Sequence, residues 1–146
     1  MNYAKSRPEN LARLVHVLTK ADLITAGLIA LQTNDQDVLK AVKRSNIKLE
    51  RYYALASEFR SANLPLYTDV IVGLPGSTVD TVRKDFQFGI DCEVHIMAHP
   101  TQLLVNSPMN DPEYRSAYGI VADPGTGAVV QTSTYSREDW REMMNM

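Results

Sequence analysis

The stretch 68-TDVIVGLPGST-78 decides the fold. Its first half is a short apolar run. Its second half places two glycines and a proline ahead of a helical pattern. That is the outline of a strand turning sharply into a helix. Gly73 and Gly76 let the backbone turn tightly and approach something closely, and Ser77 or Thr78 is placed to cap the next helix. The turn is neither a G-x-x-x-x-G-K-[ST] phosphate loop nor a G-x-G-x-x-G dinucleotide fingerprint. On these residues alone, a plain strand-to-helix turn and a ligand contact both stay open.

The same alternation extends on either side. Residues 6–21 read as an amphipathic helix, with Leu11, Leu14, Val15 and Leu18 at helical spacing, Ser6 and Glu9 as a capping box and Pro8 in the first turn. GLIALQT (27–33) is short and apolar without strict alternation, the pattern of a strand buried on both faces. NDQDVLKAVKR (34–44) reads as a short helix capped by Asn34 or Asp35. Residues 48–62 form a longer one, with Leu49, Tyr52, Tyr53, Ala56 and Phe59 on one face. Asn63-Leu64-Pro65 stops it, because a residue before proline resists the helical region. The strand LYTDVIV (66–72) comes next, then a helix over 78–91 with Val79, Val82, Phe86 and Ile90 inward, then a strand at EVHIMA (93–98).

The last third is less regular. HPTQLLVNSPMNDPEY (99–114) carries three prolines and reads mostly as loop. DPGTG (123–127) is a turn, AVVQTST (128–134) an additional strand, and SREDWREMM (136–144) a helix. That helix has Ser136 as N-cap and Trp140, Met143 and Met144 as a docking stripe. No internal repeat or low-complexity segment interrupts the pattern. Strands alternating with helices require a parallel sheet, since parallel neighbours need a crossover. Three strands leave two apolar edges unpaired, and the pattern opens on a helix, as if entering an α/β fold partway through.

Composition narrows the function. The 146 residues suit a single domain of ordinary size; 45% are hydrophobic, and the net charge is −2. Nothing in that balance attracts nucleic acid or an anionic membrane. No apolar run is long enough to span a bilayer, and MNYAKSRPEN lacks the apolar centre of a secretory signal. These features predict a cytoplasmic protein. Cys92 is the one cysteine, so the chain alone cannot build an internal disulfide or a multi-cysteine zinc or iron–sulfur site. His16, His95 and His99 lack HExxH spacing, and the last two read as a partly exposed strand-end pair.

In α/β folds ligands gather at the carboxyl ends of the parallel strands. The first strand delivers Gln32 and Thr33 there, the second Asp69 and the Gly73 turn, and the third His95, Met97 and His99. Arg44 closes the short helix. A carboxylate within a buried strand is costly unless partnered. Asp69 therefore reads either as a structural acceptor or ion pair, or as an acceptor for ligand hydroxyls. Gln32 and Arg44 have equally plain alternatives, as a loop-bonding amide and a solvated base.

Set side by side, ALQTNDQDVLKAVKRSNIKLERY (30–52) and LYTDVIVGLPGSTVDTV (66–82) resemble the second half of the catalytic barrel of radical S-adenosylmethionine (SAM) enzymes. The resemblance is nearest to the branch that also carries a cobalamin-binding domain, which includes anaerobic cyclase-like iron–sulfur oxidoreductases. The tail GAVVQTSTYSREDWREMM (127–144) is similar to the segment after the barrel in that branch. The likeness covers about residues 5–144 and is most specific over 27–82.

The resemblance implies an α/β partial, or half, βα barrel over 1–110, from helix three through strand six, and an irregular C-terminal extension with a helix over 111–146. It also implies cofactor-binding roles. Gln32 matches the glutamine that meets the SAM ribose at the end of the fourth strand. Arg44, twelve residues on, matches the arginine that meets the SAM carboxylate, and Asp69, a further 25 on, the fifth-strand acid that accepts from the ribose. Ile71 and Gly73 match a G-x-I-x-G-type signature whose isoleucine packs on adenine, with Asp69 in place of its first glycine. The chemistry suits these types: an arginine fork grips a carboxylate, and Asp69 and the Gln32 carbonyl accept from hydroxyls.

Two departures matter. The family usually has Gly-Glu-Thr after the proline, where this chain has Gly76-Ser77-Thr78. The C-x-x-x-C-x-x-C motif for the [4Fe–4S] cluster and the Gly-Gly-Glu-type stretch are absent from this chain. The resemblance thus implies the SAM-facing wall of a radical SAM iron–sulfur oxidoreductase without its cluster ligands, inactive by itself, with no catalytic residue and no metal ligand of its own. Cobalamin would be held by a domain outside this stretch. Expected partners are a separate N-terminal half barrel or a second copy of the chain. The alternative function is a small α/β binding or assembly module that oligomerises through its exposed sheet edges. An ordinary nucleotide-binding or flavodoxin-like domain would instead require a phosphate on the 73–78 turn.

Overall fold

The computed structural model describes residues 10–23 and 26–146. The elements run in the order α1 (Leu11–Lys20), β1 (Gly27–Gln32), α2 (Gln36–Ala41), α3 (Leu49–Ser61), β2 (Leu66–Val72), α4 (Val79–Asp91) and β3 (His95–Pro100). After these come α5 (Pro112–Tyr118), β4 (Val121–Ala122), β5 (Val129–Gln131) and α6 (Arg137–Met144). The capping box expected at Ser6 and Glu9 lies outside the described residues. β1, β2 and β3 form a sheet in that order. β1 and β2 run parallel, with Gly27 opposite Leu66 and Ala30 opposite Asp69. This is the arrangement of a partial βα barrel.

The chain divides into two compact units. The first comprises Met1–Gln32, Asn46–Val70 and Phe86–Met97. Its core joins Ile29, Leu31, Tyr52, Leu55, Ala56, Phe59, Leu64, Leu66 and Cys92, with Ile47, Phe88 and Val94 packed against them. α3 turns Tyr52, Ala56 and Phe59 inward as the helical spacing predicts. Leu49 and Tyr53 are exposed instead, and Leu55 takes the inner position. The reason is angular: positions 52, 55, 56 and 59 make a tight i, i+3, i+4, i+7 stripe, and 49 and 53 lie at its margins.

Burial on the sheet corrects the expectation for β1. Gly27, Ile29 and Leu31 are buried whereas Leu28 and Ala30 are half-buried. In β2 the alternation is perfect, with Leu66, Thr68, Val70 and Val72 buried and Tyr67, Asp69 and Ile71 half-buried. Apolar sequence on both faces matches full burial on one only; among the described residues the other face is half-buried. The covered face carries its polar atoms in a closed chain. The Tyr52 hydroxyl donates to Thr68 Oγ1 at 2.9 Å, and Thr68 Oγ1 donates to the Ile29 carbonyl at 2.8 Å. β3 is largely exposed, and His95 stacks on Tyr67 with ring centres 5.0 Å apart.

Five helices share one stop signal. Asp22, Lys43, Asn63, Glu93 and Gly119 all have left-handed backbones. The next residue's N–H then reaches back across the last turn: Leu23 to Leu18, Arg44 to Leu39, Leu64 to Phe59, Val94 to Gly89 and Ile120 to Arg115, at 2.9–3.0 Å. This is the Schellman closure. α3 therefore ends through Asn63, two residues ahead of the proline to which the sequence assigns its stop.

The second unit comprises Thr33–Ser45, Ile71–Asp85 and Ala98–Met146. The 99–114 stretch, loop-like in sequence, contains a 3-10 turn, Pro108–Asn110, and leads into α5. Asp111 caps α5 through bonds from the Glu113 and Tyr114 N–H groups, and Pro112 fills its first position. The Asp-Pro pair and the following Gly119 are the signals for it in the sequence. β4 pairs antiparallel with β5. α6 begins at the expected Ser136 with a full capping box to Asp139. It buries Met143 but leaves Met144 exposed.

Candidate functional site

In the first unit, Gln32 ends β1 and stands opposite Val70, one residue from Asp69 on the neighbouring strand. The register slips between Ala30 and Gln32, so that β1 carries an extra residue there. Gln32 itself has φ +69 and is 9% exposed. A left-handed backbone on a residue with a Cβ is strained, and such strain concentrates at ligand sites. Ala30 lies directly across from Asp69, so the carboxylate, at the middle of β2, has a small neighbour on the adjacent parallel strand. Ile71 stands one full pleat later on β2 and is likewise half-buried.

Arg44 and Gly73 belong to the second unit. The Arg44 N–H closes α2 on the Leu39 carbonyl, and its side chain is exposed. Gly73 has φ +79, a backbone that favours glycine. A Cβ there would sit 2.9 Å from Tyr135 Oη and 3.4 Å from Trp140 Cδ1. The turn after β2 is strapped by the tail. Tyr135 Oη donates to the Gly73 carbonyl at 2.6 Å, and Thr134 Oγ1 donates to the Ser77 carbonyl at 2.6 Å. Thr101 donates both its N–H and its hydroxyl to the Val72 carbonyl, at 2.9 Å each. Thr78, the second of the expected caps, pairs with Thr81: each accepts from the other's N–H at the start of α4. Ser77 is buried in the place where the family's acid was expected. The glycines thus serve a held turn.

One buried acid is not evident from the sequence. Asp85 on α4 is 4% exposed and accepts from the Asn34 N–H at 2.6 Å, and Thr33 bonds to it through its side chain. Burial pushes its carboxyl up to about 6. It fixes the loop after Gln32. The buried stripe of α4 runs through Val82, Asp85 and Gly89, whereas Ile90, expected to face inward, is exposed. Tyr135 and Thr134 have no local sequence signal, since their partners lie 62 and 57 residues away.

Cluster chemistry finds no counterpart in this chain. Cys92 is buried at the end of α4, and its thiol is pushed up by burial. A lone protonated thiol inside a core does not fit a [4Fe–4S] cluster, which takes several thiolates. Among the described residues no group of three His, Cys, Asp or Glu side chains could hold a metal ion. No described helix is long and apolar enough to cross a membrane.

A parallel α/β sheet with one buried and one half-buried face, followed by a strapped glycine turn, makes a partial βα barrel. The chain is 29% identical over 158 aligned positions to the 2-(S-pantetheinyl)-carbapenam-3-carboxylate methyltransferase of Streptantibioticus cattleyicolor, covering 96% of this chain and 23% of that protein. It is 28% identical over 160 positions to the cobalamin-dependent radical SAM methyltransferase TokK of Streptomyces tokunonensis, covering 97% and 24%. A tRNA-2-methylthio-N(6)-dimethylallyladenosine synthase of Alkaliphilus oremlandii matches at 30% over 95 positions, 62% of this chain and 19% of the enzyme. Among solved structures, coproporphyrinogen III oxidase (HemN) of Escherichia coli, a radical SAM enzyme, superposes with a TM-score of 0.58 at 15% identity, over 94% of this chain and 29% of its own. The chain is thus similar to radical SAM proteins, and two methyltransferases, one of them cobalamin-dependent, are among its relatives. It spans about a quarter of the length of the first two. No protein-family model matches it.

Proposed function

We propose that this chain supplies the SAM-facing wall of a radical SAM barrel and is inactive by itself. Gln32 and Asp69 would accept from the ribose hydroxyls, Ile71 and the Gly73 turn would wall the adenine, and the Arg44 guanidinium would hold the carboxylate. The observation that carries this reading is that Gln32 ends β1 on a left-handed backbone while Asp69 lies, half-buried, on the adjacent parallel strand β2. When bound, SAM supplies activated methyl and adenosyl groups. This chain's residues would bind and orient it, and we assign no radical step to them, because its one cysteine cannot hold a cluster.

The activity we propose for the whole protein is cobalamin-dependent methyl transfer, by analogy with its methyltransferase relatives. The missing wall would come from an N-terminal half barrel pairing along β1. The half-buried face of the sheet also favours a second reading, in which two copies associate through these surfaces.

Titrating the chain with SAM, followed by NMR, should give weak binding with shifts at Gln32, Arg44 and Asp69–Gly73. Asp69→Asn should weaken it about tenfold. Iron and sulfide reconstitution should leave no [4Fe–4S] absorbance. Stoichiometric cluster formation by the chain, or SAM shifts that avoid these residues, would sink the proposal.

A further inference from the structure

The second unit contains a recess of about 320 Å³ lined by Val42, Lys43, Pro108, Met109, Asp111 and Tyr114. One wall is the C-terminal end of α2, and the other is the Pro108–Tyr114 segment that leads into α5. The volume lies at the lower end of the ligand-pocket range and is about twice the ~150 Å³ that admits benzene.

The walls are fixed from behind. Tyr114 donates its hydroxyl to the Ala41 carbonyl at 2.8 Å, and its ring leans on Tyr118 with centres 4.6 Å apart. The Met109 N–H bonds to Ser107 Oγ at 3.2 Å. Val42, Pro108, Met109 and the Tyr114 ring make the lining largely apolar, and methionine adapts to irregular chains.

Two charges stand at this recess and are not equivalent. Asp111 Oδ1 accepts from the Glu113 and Tyr114 N–H groups, so this oxygen is engaged by the start of α5. Lys43 is exposed and has no ion-pair partner among the described residues. Its backbone is locked in the left-handed turn that closes α2, which fixes the root of the side chain at the recess. The uncompensated charge is therefore the ammonium.

We propose that this recess binds a short aliphatic or thioether chain ending in a carboxylate, with the chain against Met109 and Tyr114 and the carboxylate on Lys43. The site stands on its own residues and does not depend on the SAM wall.

The 146-residue chain should be titrated with hexanoate, hexan-1-ol and hexylammonium, followed by NMR. Hexanoate should bind in the millimolar range, with saturable shifts at Val42, Lys43, Met109 and Tyr114. Lys43→Gln should weaken hexanoate about fivefold, the measure of one exposed ion pair, and leave hexan-1-ol unchanged. Met109→Lys, which puts a charge among the apolar lining, should abolish hexan-1-ol binding. The proposal is overturned if hexanoate gives no saturable shifts at these residues, if hexylammonium binds as tightly as hexanoate, or if Lys43→Gln weakens both ligands equally.

Discussion

Asp85 is a carboxyl group held where water scarcely reaches, and its proton is correspondingly hard to remove. Its value in the fold, about 6, lies above its ordinary value of 3.8. The folded state therefore binds the proton more tightly than the unfolded chain. That advantage is full below about pH 4 and is lost as pH rises towards 6. Asp85 should make the protein less stable at pH 7 than at pH 4 by about 2–3 kcal/mol. The exposed carboxylates Asp37, Asp80, Asp123 and Asp139 are lowered and act in the opposite sense at more acid pH. Asp85→Asn keeps an acceptor for the Asn34 N–H and should flatten the slope between pH 4 and 6.5 in denaturant titrations. An unchanged slope would show that another group titrates. At the Gly73 turn, Tyr135→Phe deletes the hydroxyl that holds the Gly73 carbonyl and should cost about 1–2 kcal/mol. Gly73→Ala meets both a positive φ and Tyr135 Oη at 2.9 Å, and should cost about 2–4 kcal/mol, read as a lower midpoint in the same titrations.

Among the elements, the helix ends stand out, because residues with side chains take the place usually given to glycine. Lys43, Asn63 and Glu93 each carry a left-handed backbone. Asparagine tolerates this state; lysine and glutamate do so less readily. Glu93→Gly should relieve the strain and stabilise the protein by about 0.5–1 kcal/mol, despite losing an exposed ion pair to Arg60. A thermal midpoint about 2–4 °C higher would register it. These closures also mark where the sequence is legible and where it is not. Apolar periodicity locates β1, β2, α3 and α4, because burial on a covered face leaves a repeating trace. It cannot say that the second face of the sheet is only half-buried, since that depends on tertiary packing and leaves no mark in the strand's own pattern. It misses α5, whose short turn is announced by Asp111-Pro112 rather than by a stripe, and it misses β4, only two residues long. Gln32 and Asp69 are legible as polar residues in apolar strands. Asp85 is hidden because a lone acid in an apolar stripe resembles an ordinary helix residue.

At the scale of the whole molecule, the half-buried face of β1 and β2 and the exposed β3 set the solution behaviour. Leu28, Tyr67 and Ile71 are half-buried, and Met97 on β3 is exposed. Apolar surface left open to water favours association. Light scattering at micromolar concentration should show a species larger than a monomer, and adding an N-terminal half barrel should shift it to a one-to-one complex. A strictly monomeric chain that ignores the added half would count against completion of the barrel through these surfaces. The tail strap has a different consequence, one of timing. Tyr135 reaches Gly73 across 62 residues, so the turn after β2 can lock only once that distant segment has been synthesised and has returned. Local helices can form during translation, but this loop closes late. The strand ends proposed to hold SAM would then be among the last parts of a nascent chain to mature.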